Sequence, residues 1–140
     1  MTTQHPLRGV ATISLFAADH AAARQWYTDF LGIEPYFARP GYVEFRLGDY
    51  QTELGIIDSS FIPRLKDATP TPSGIITYWH VDDLDVTFQR LLDLGATQLD
   101  APQQRGEGFV TASVIDPFGN ILGIMTNPHY KSILAASHNA

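Results

Sequence analysis

An α+β domain built from two βαβββ modules is predicted by three observations. The first is an internal duplication. Ser14-Leu15-Phe16-Ala17-Ala18-Asp19-His20, followed by a helical stretch ending Phe30-Leu31-Gly32, aligns 63 positions later with Thr77-Tyr78-Trp79-His80-Val81-Asp82-Asp83 and a stretch ending Asp93-Leu94-Gly95. Each copy reads strand, acidic helix start, helix and Leu-Gly stop; two copies are too few to stack as a solenoid, so they point to a pseudo-symmetric pair. The second observation is that each copy is followed by a pair of strand-like runs, Tyr42–Leu47 with Tyr50–Ile57 and Phe109–Ile115 with Asn120–Thr126. The third is length: 140 residues suit one domain. The expected division is module 1 over about 9–58, a linker over 59–73, module 2 over about 74–127 and a tail over 128–140.

Val10–Ala17 alternates Ile13, Leu15 and Ala17 against Thr12, Ser14 and Phe16, which predicts a strand. Asp19 is a cap candidate for a helix over His20–Leu31, and Gly32 stands at its stop. Pro35–Ala38 reads as a short edge strand before the Arg39-Pro40-Gly41 turn. Gly48-Asp49 predicts a two-residue hairpin turn, with Leu47 opposite Tyr50, Arg46 opposite Gln51, Phe45 opposite Thr52 and Glu44 opposite Glu53. One face of this hairpin then carries Val43, Phe45, Leu47, Leu54 and Ile56, and the other Tyr42, Glu44, Arg46, Gln51 and Glu53. Pro63, Pro70 and Pro72 mark the linker. The pattern restarts with a strand over Gly74–Val81, a helix over Leu84–Leu94 opened by Asp82-Asp83 and presenting Val86, Phe88, Leu91 and Leu92, a short strand near Gln98, and the second strand pair. In the tail a short helix is expected over Lys131–Ser137.

Composition removes whole classes of function. With no cysteine, disulfides, thiolate nucleophiles and Cys-based metal sites are excluded, so any metal must sit on His, Asp or Glu. A net charge of −6 argues against nucleic acid as a partner and favours a cationic ligand. No apolar run approaches the roughly 20 residues of a membrane span, and the first residues lack a signal-peptide core, so a cytoplasmic protein is expected. The Gly-rich phosphate loops, the nucleophile elbow and the zinc-protease helix motif are all missing, and Ser14 and Ser113 have no sequence-evident His or Asp partners. Trp26 and Tyr27 are read as packing, and His5, His20, His129 and His138 as solvated.

Three segments carry a resemblance to a known family: Asp19…Trp26-Tyr27-Thr28-Asp29-Phe30-Leu31-Gly32, Val81-Asp82-Asp83-Leu84…Leu94-Gly95-Ala96, and Asp116-Pro117-Phe118-Gly119-Asn120. Together they resemble the vicinal oxygen chelate superfamily, which includes glyoxalase I, extradiol dioxygenases, fosfomycin-resistance enzymes and bleomycin-resistance proteins. The resemblance implies that the two sheets form a cup-shaped cavity with the helices outside, and that the protein is a homodimer. It also implies, for catalytic members, a divalent metal held from the first and fourth strands of each module. Those positions fall on Thr12, Glu53, Ile76 and Gly123. Of these only Glu53 is a suitable ligand, so no metal and no cofactor are expected; a displaced set of Glu53, Glu44 and His80 is the alternative.

The expected ligand face shows Thr12, Ser14, Tyr42, Glu44, Arg46, Gln51 and Glu53 from the first module and Ile76, Tyr78, His80, Ile121 and Met125 from the second. One wall is polar and charged and the other apolar and aromatic, as an amphipathic small molecule requires. Glu44 and Glu53, read as direct cross-strand neighbours, repel each other unless Arg46 bridges them diagonally, one holds a proton, or a cation lies between them. The function this supports is a metal-free small-molecule-binding protein of bleomycin-resistance type, sequestering a cationic or aromatic compound. The alternatives are a glyoxalase-like lyase or dioxygenase-like enzyme with displaced metal ligands, and a metal-free isomerase with Glu44 or Glu53 as base. No catalytic residue is assigned. A purely structural or regulatory partner-binding module has no charge block or amphipathic surplus to ask for it.

Overall fold

The computed structural model describes residues 10–63 and 75–138. The chain divides into two compact units, the first running to Pro63 and the second starting at Arg64.

The first unit contains β1 (Thr12–Ala17), α1 (His20–Leu31), β2 (Phe37–Arg39), β3 (Tyr42–Leu47) and β4 (Thr52–Asp58), with strand order β1-β4-β3-β2. β1 runs parallel to β4 because α1 returns the chain, and the remaining pairs are antiparallel. Asp19 starts α1 by accepting the Ala22 N–H, and Gly32 ends it at φ 72°, handing its own N–H to Thr28. Period-2 alternation puts Val43, Phe45, Leu54 and Ile56 on the face that α1 covers, where they are buried with Ala17, Ala23 and Tyr27. Each large side chain so buried contributes about 1.5–3 kcal/mol. Trp26 packs edge-on to Tyr27, with ring centroids 4.7 Å apart.

The β3–β4 hairpin departs from the expected register. Leu47 pairs with Thr52, Arg46 with Glu53, Phe45 with Leu54 and Glu44 with Gly55. Four residues, Gly48 to Gln51, form the turn, closed by a Gln51 N–H bond to the Gly48 carbonyl, with positive φ at both ends. A slip of two residues leaves every side chain on its own face, so hydrophobic alternation does not distinguish the two registers. Gln51 therefore lies in the turn and not on the strand face.

The second unit contains β5 (Tyr78–His80), α2 (Leu84–Asp93), β6 (Thr97–Gly106), β7 (Phe109–Ile115), β8 (Ile121–Thr126) and α3 (Pro128–His138), with strand order β5-β8-β7-β6. Leu84, Phe88 and Leu91 of α2 are buried, as are Ala112, Val114, Leu122 and Ile124 of the sheet, whereas Val86 is exposed. α2 starts at Leu84 as expected, and Asp83 caps it through the Val86 N–H. The two N-caps are thus 64 positions apart, and the 63-residue spacing holds only for the stop glycines Gly32 and Gly95.

Two segments exceed expectation and one falls short. β6 spans ten residues, including Pro102, with register shifts along its pairing to β7; an edge strand tolerates the missing N–H. α3 begins at Pro128, three residues earlier than expected, capped by the Asn127 side chain accepting from the Tyr130 N–H. β5 is confined to Tyr78–His80, so Ile76 precedes the strand; Gly74 lies outside the described residues. Of the expected linker, Ser59–Phe61 form a single 3₁₀ turn, and 64–73 lie outside the described residues. Among the described residues no helix is long and apolar enough to cross a membrane.

Candidate ligand-binding site

Away from α1, the first sheet presents Thr12 and Ser14 of β1, Glu53 and Gly55 of β4, Tyr42, Glu44 and Arg46 of β3, and Phe37 and Arg39 of β2, as the strand registers require. Six of the seven expected residues are brought together, and Gln51 is the exception. Thr12 donates its hydroxyl to Glu53 Oε1 at 2.8 Å, and Arg46 Nη2 donates to Glu53 Oε2 at 3.4 Å. Arg46 Nε lies 3.8 Å from Glu44 Oε2, and Tyr42 donates its hydroxyl to Glu44 Oε1 at 2.8 Å. The Arg46 guanidinium is stacked over the Tyr36 ring, 3.8 Å from its centroid.

The observed register explains how two carboxylates share this face. Arg46, not Glu44, stands opposite Glu53, so the direct like-charge pair becomes a Glu44–Arg46–Glu53 bridge carrying one net negative charge. Glu44 is nearly enclosed, its side chain 13 % exposed, and Tyr42 supplies the donor it needs there. Partial burial, the bond to Glu44 and the negative charges of Glu44 and Glu53 push the Tyr42 phenol up to about 12, with the Arg39 charge opposing them. Tyr42 therefore remains a hydrogen-bond donor throughout the neutral range.

Sequence reasoning missed Tyr36, Phe37 and Arg39. Tyr36 and Phe37 are exposed aromatics, 65 % and 46 %, on this rim. Pairing of β2 with β3 sets Phe37 beside Glu44 and Arg39 beside Tyr42. The signal that would have found them is the parity of β2 relative to β3, fixed by the Pro40-Gly41 turn.

The corresponding face of the second unit carries Tyr78, His80, Ile121, Gly123 and Met125, with Tyr78 registered to Gly123 and His80 to Met125. His80 is not a free rim imidazole. Its Nδ1 accepts the Asn127 N–H at 3.1 Å, and its ring stacks on Tyr130 of α3 with centroids 4.8 Å apart. Ser113, wholly buried, donates to Asp100 Oδ2 at 3.2 Å, which accounts for it structurally. Asp116 is likewise architectural: buried, it accepts the N–H groups of Phe118 and Asn120 and the Asn120 side-chain amide, and so shapes the Asp-Pro-Phe-Gly-Asn turn.

An open depression of about 730 Å³ lies on the other side of the first sheet, against the start of α1 and the Arg39-Pro40-Gly41 turn, with His20, Arg24, Val43 and Asp58 in its lining. Three of its polar groups, Asp19, His20 and Asp58, are already engaged, and Arg24 and Arg39 are its remaining charged lining residues. Asp19 caps α1, His20 Nε2 bonds the Ile56 carbonyl at 2.8 Å in place of the expected solvation, and Asp58 is held below its usual carboxylate range by the Ser60 hydroxyl and N–H. The face that carries Glu44 is therefore the better candidate.

These features define an α+β protein of two four-stranded mixed sheets, the first with a polar, aromatic-rimmed face. The chain belongs to the Glyoxalase/Bleomycin resistance protein/Dioxygenase superfamily, whose family model matches residues 9–124. Among solved structures it is similar to a glyoxalase-related enzyme from Fulvimarina pelagi, at 23% identity and a TM-score of 0.70 over 87% of this chain and 90% of that one. It is similar to a lactoylglutathione lyase from Agrobacterium tumefaciens, at 22% identity and a TM-score of 0.65 over 86% and 95% of the two chains. A bleomycin resistance determinant encoded on the transposon Tn5 matches at 22% identity and a TM-score of 0.63, over 84% and 97%. At such identities the likeness establishes the fold alone. No curated protein matches the sequence.

The donor set does not fit the divalent metal of the family's catalytic members. Of the four positions only Glu53 carries a carboxylate, held by Thr12 and Arg46, and Thr12, Ile76 and Gly123 supply neither carboxylate nor imidazole. A side chain at position 123 would set its Cβ 2.7 Å from Tyr78 Cδ1 and 2.8 Å from the Thr77 carbonyl oxygen. Among the described residues no three His, Asp or Glu side chains gather as a ligand group.

Proposed function

We propose that this chain is a metal-independent small-molecule-binding protein that holds a ligand of cationic and aromatic character on the Glu44 face of its first unit. One observation carries the reading: the Glu44–Arg46–Glu53 bridge retains a net negative charge and is fixed in place by Thr12, Tyr42 and Tyr36. A carboxylate pair held by its own hydrogen bonds needs no reorganisation to receive an ammonium group, and carboxylate oxygens accept more than one donor each. At an effective dielectric near 20, an ammonium about 4 Å from one unit of negative charge gains about 4 kcal/mol before desolvation is subtracted. Phe37 and Tyr36 supply exposed rings for the ligand's apolar part. The Tyr42 and Arg46 bonds to the carboxylates hold them as acceptors, which favours binding over a role as proton-abstracting base. The homodimer implied by the family belongs to the same proposal and is read by sedimentation velocity.

Calorimetric titration with benzylamine and benzyl alcohol at low salt tests the reading. Benzylamine is expected to bind about tenfold more tightly than the neutral alcohol; equal affinities, or no binding of the amine at millimolar concentration, would defeat it.

A further inference from the structure

We infer that the ligand of this face is bipolar: an aromatic body with a cationic group directed to the Glu44–Glu53 end and an anionic group received by Arg39. The inference rests on the binding function proposed above and adds the second charge. Cross-strand partners in an antiparallel pair project to the same side, so the register Phe37 with Glu44 and Arg39 with Tyr42 sets the Arg39 Cβ on the face that carries the carboxylates, at the end of β2, where Arg39 also borders the depression beside α1. The Arg39 charge is felt at the Tyr42 phenol, where it opposes Glu44 and Glu53.

The two arginines of this face are used differently. Arg46 is committed to Glu44 and Glu53, whereas Arg39 has no ion-pair partner among the described residues. With both arginines counted, the face is neutral but polarised, acidic toward Glu53 and basic toward Arg39. A simple cation gains at one end and is repelled at the other, whereas a ligand with both charges gains at both. Discrimination between the two comes from the repulsive element as much as from the attractive one.

Geometry sets the spacing of the charges. Arg39 is two residues along and one strand across from Glu44, on the order of 8 Å from Cα to Cα. Between them lie the rings of Phe37 and Tyr42, with centroids 6.4 Å apart. A single aromatic ring carrying its charged groups at opposite ends matches this layout. A carboxylate suits Arg39 because the guanidinium fork pairs with it through two parallel hydrogen bonds.

Titration with para-(aminomethyl)benzoate, benzylamine and benzoate, on the wild-type chain, on Arg39→Gln and on Arg24→Gln, tests the inference. The wild type should bind para-(aminomethyl)benzoate at least about fivefold more tightly than benzylamine. Arg39→Gln should bring that ratio to about one, and Arg24→Gln, on the α1 side, should leave it at the wild-type value. Equal affinities of the two amines for the wild type, or a ratio untouched by Arg39→Gln, would overturn the bipolar ligand and leave the cation-binding function standing. Failure of both amines to bind overturns both, and benzoate binding as tightly as para-(aminomethyl)benzoate would reduce the site to a plain anion site at Arg39 and overturn the inference.

Discussion

The ring of Tyr42 lies over Gly55 so closely that a Cβ at position 55 would stand 2.7 Å from its Cε1 atom and 2.7 Å from its hydroxyl oxygen. The second unit repeats the construction with Tyr78 over Gly123. In the first unit this seat aims the Tyr42 hydroxyl at Glu44. Removal of the glycine therefore disturbs the carboxylate as well as the packing.

Gly55→Ala is expected to swing the Tyr42 ring aside at a cost of about 1 kcal/mol, since the obstructing atoms end a side chain that can rotate away. Gly123→Ala should cost more, about 2–3 kcal/mol, because the Thr77 carbonyl oxygen is backbone and cannot move aside so cheaply. Urea denaturation of the two variants checks the order; a Gly55→Ala variant less stable than Gly123→Ala would refute it.

The raised Tyr42 phenol makes stability depend on alkaline pH. The unfolded chain ionises this tyrosine near the ordinary phenol value of 10.0, the folded chain only at about 12. The stabilising contribution is therefore complete below about pH 10 and is lost as pH rises toward about 12. Tyr42→Phe should flatten that part of the stability profile, and absorbance titration of the wild type should show one phenol ionising late. Profiles of wild type and Tyr42→Phe that run parallel between these pH values would contradict the assignment.

Each of Glu44→Gln and Glu53→Gln is expected to weaken benzylamine binding about three- to tenfold and to make the remaining affinity less sensitive to salt, while circular dichroism stays unchanged. Affinity unaltered in both variants would reassign the carboxylates to a structural network with Arg46.

Zinc, nickel or manganese added to the purified chain is expected to leave its melting temperature unchanged, because a metal bound only to the native state would raise it. A stoichiometric, saturable rise would restore a metal-dependent enzyme as the leading reading.

Asp116→Ala should destabilise the chain by about 2–4 kcal/mol, since it strands the buried N–H groups of Phe118 and Asn120. Chemical denaturation measures this, and a loss below about 1 kcal/mol would show that water replaces the carboxylate.

What was legible in the sequence is what local chemistry and side-chain period encode. Asp19 and Gly32 bound α1 at the expected residues, β3 and β7 fall at their expected ends, and the Thr12, Ser14, Tyr42, Glu44, Arg46 and Glu53 face follows from alternation alone. The tertiary structure decided the hairpin register, because a two-residue slip is invisible to a period of two. That slip places Arg46 opposite Glu53, and it converts a repelling carboxylate pair into a bridged one. It likewise decided the surroundings of the histidines: the Ile56 carbonyl meets His20 only once β4 lies beside α1, and Asn127 and Tyr130 reach His80 only across 47 and 50 positions of chain. Arg39 joined the Glu44 face for the same reason, since a three-residue edge strand has too little pattern to declare its own parity and takes it from its pairing with β3.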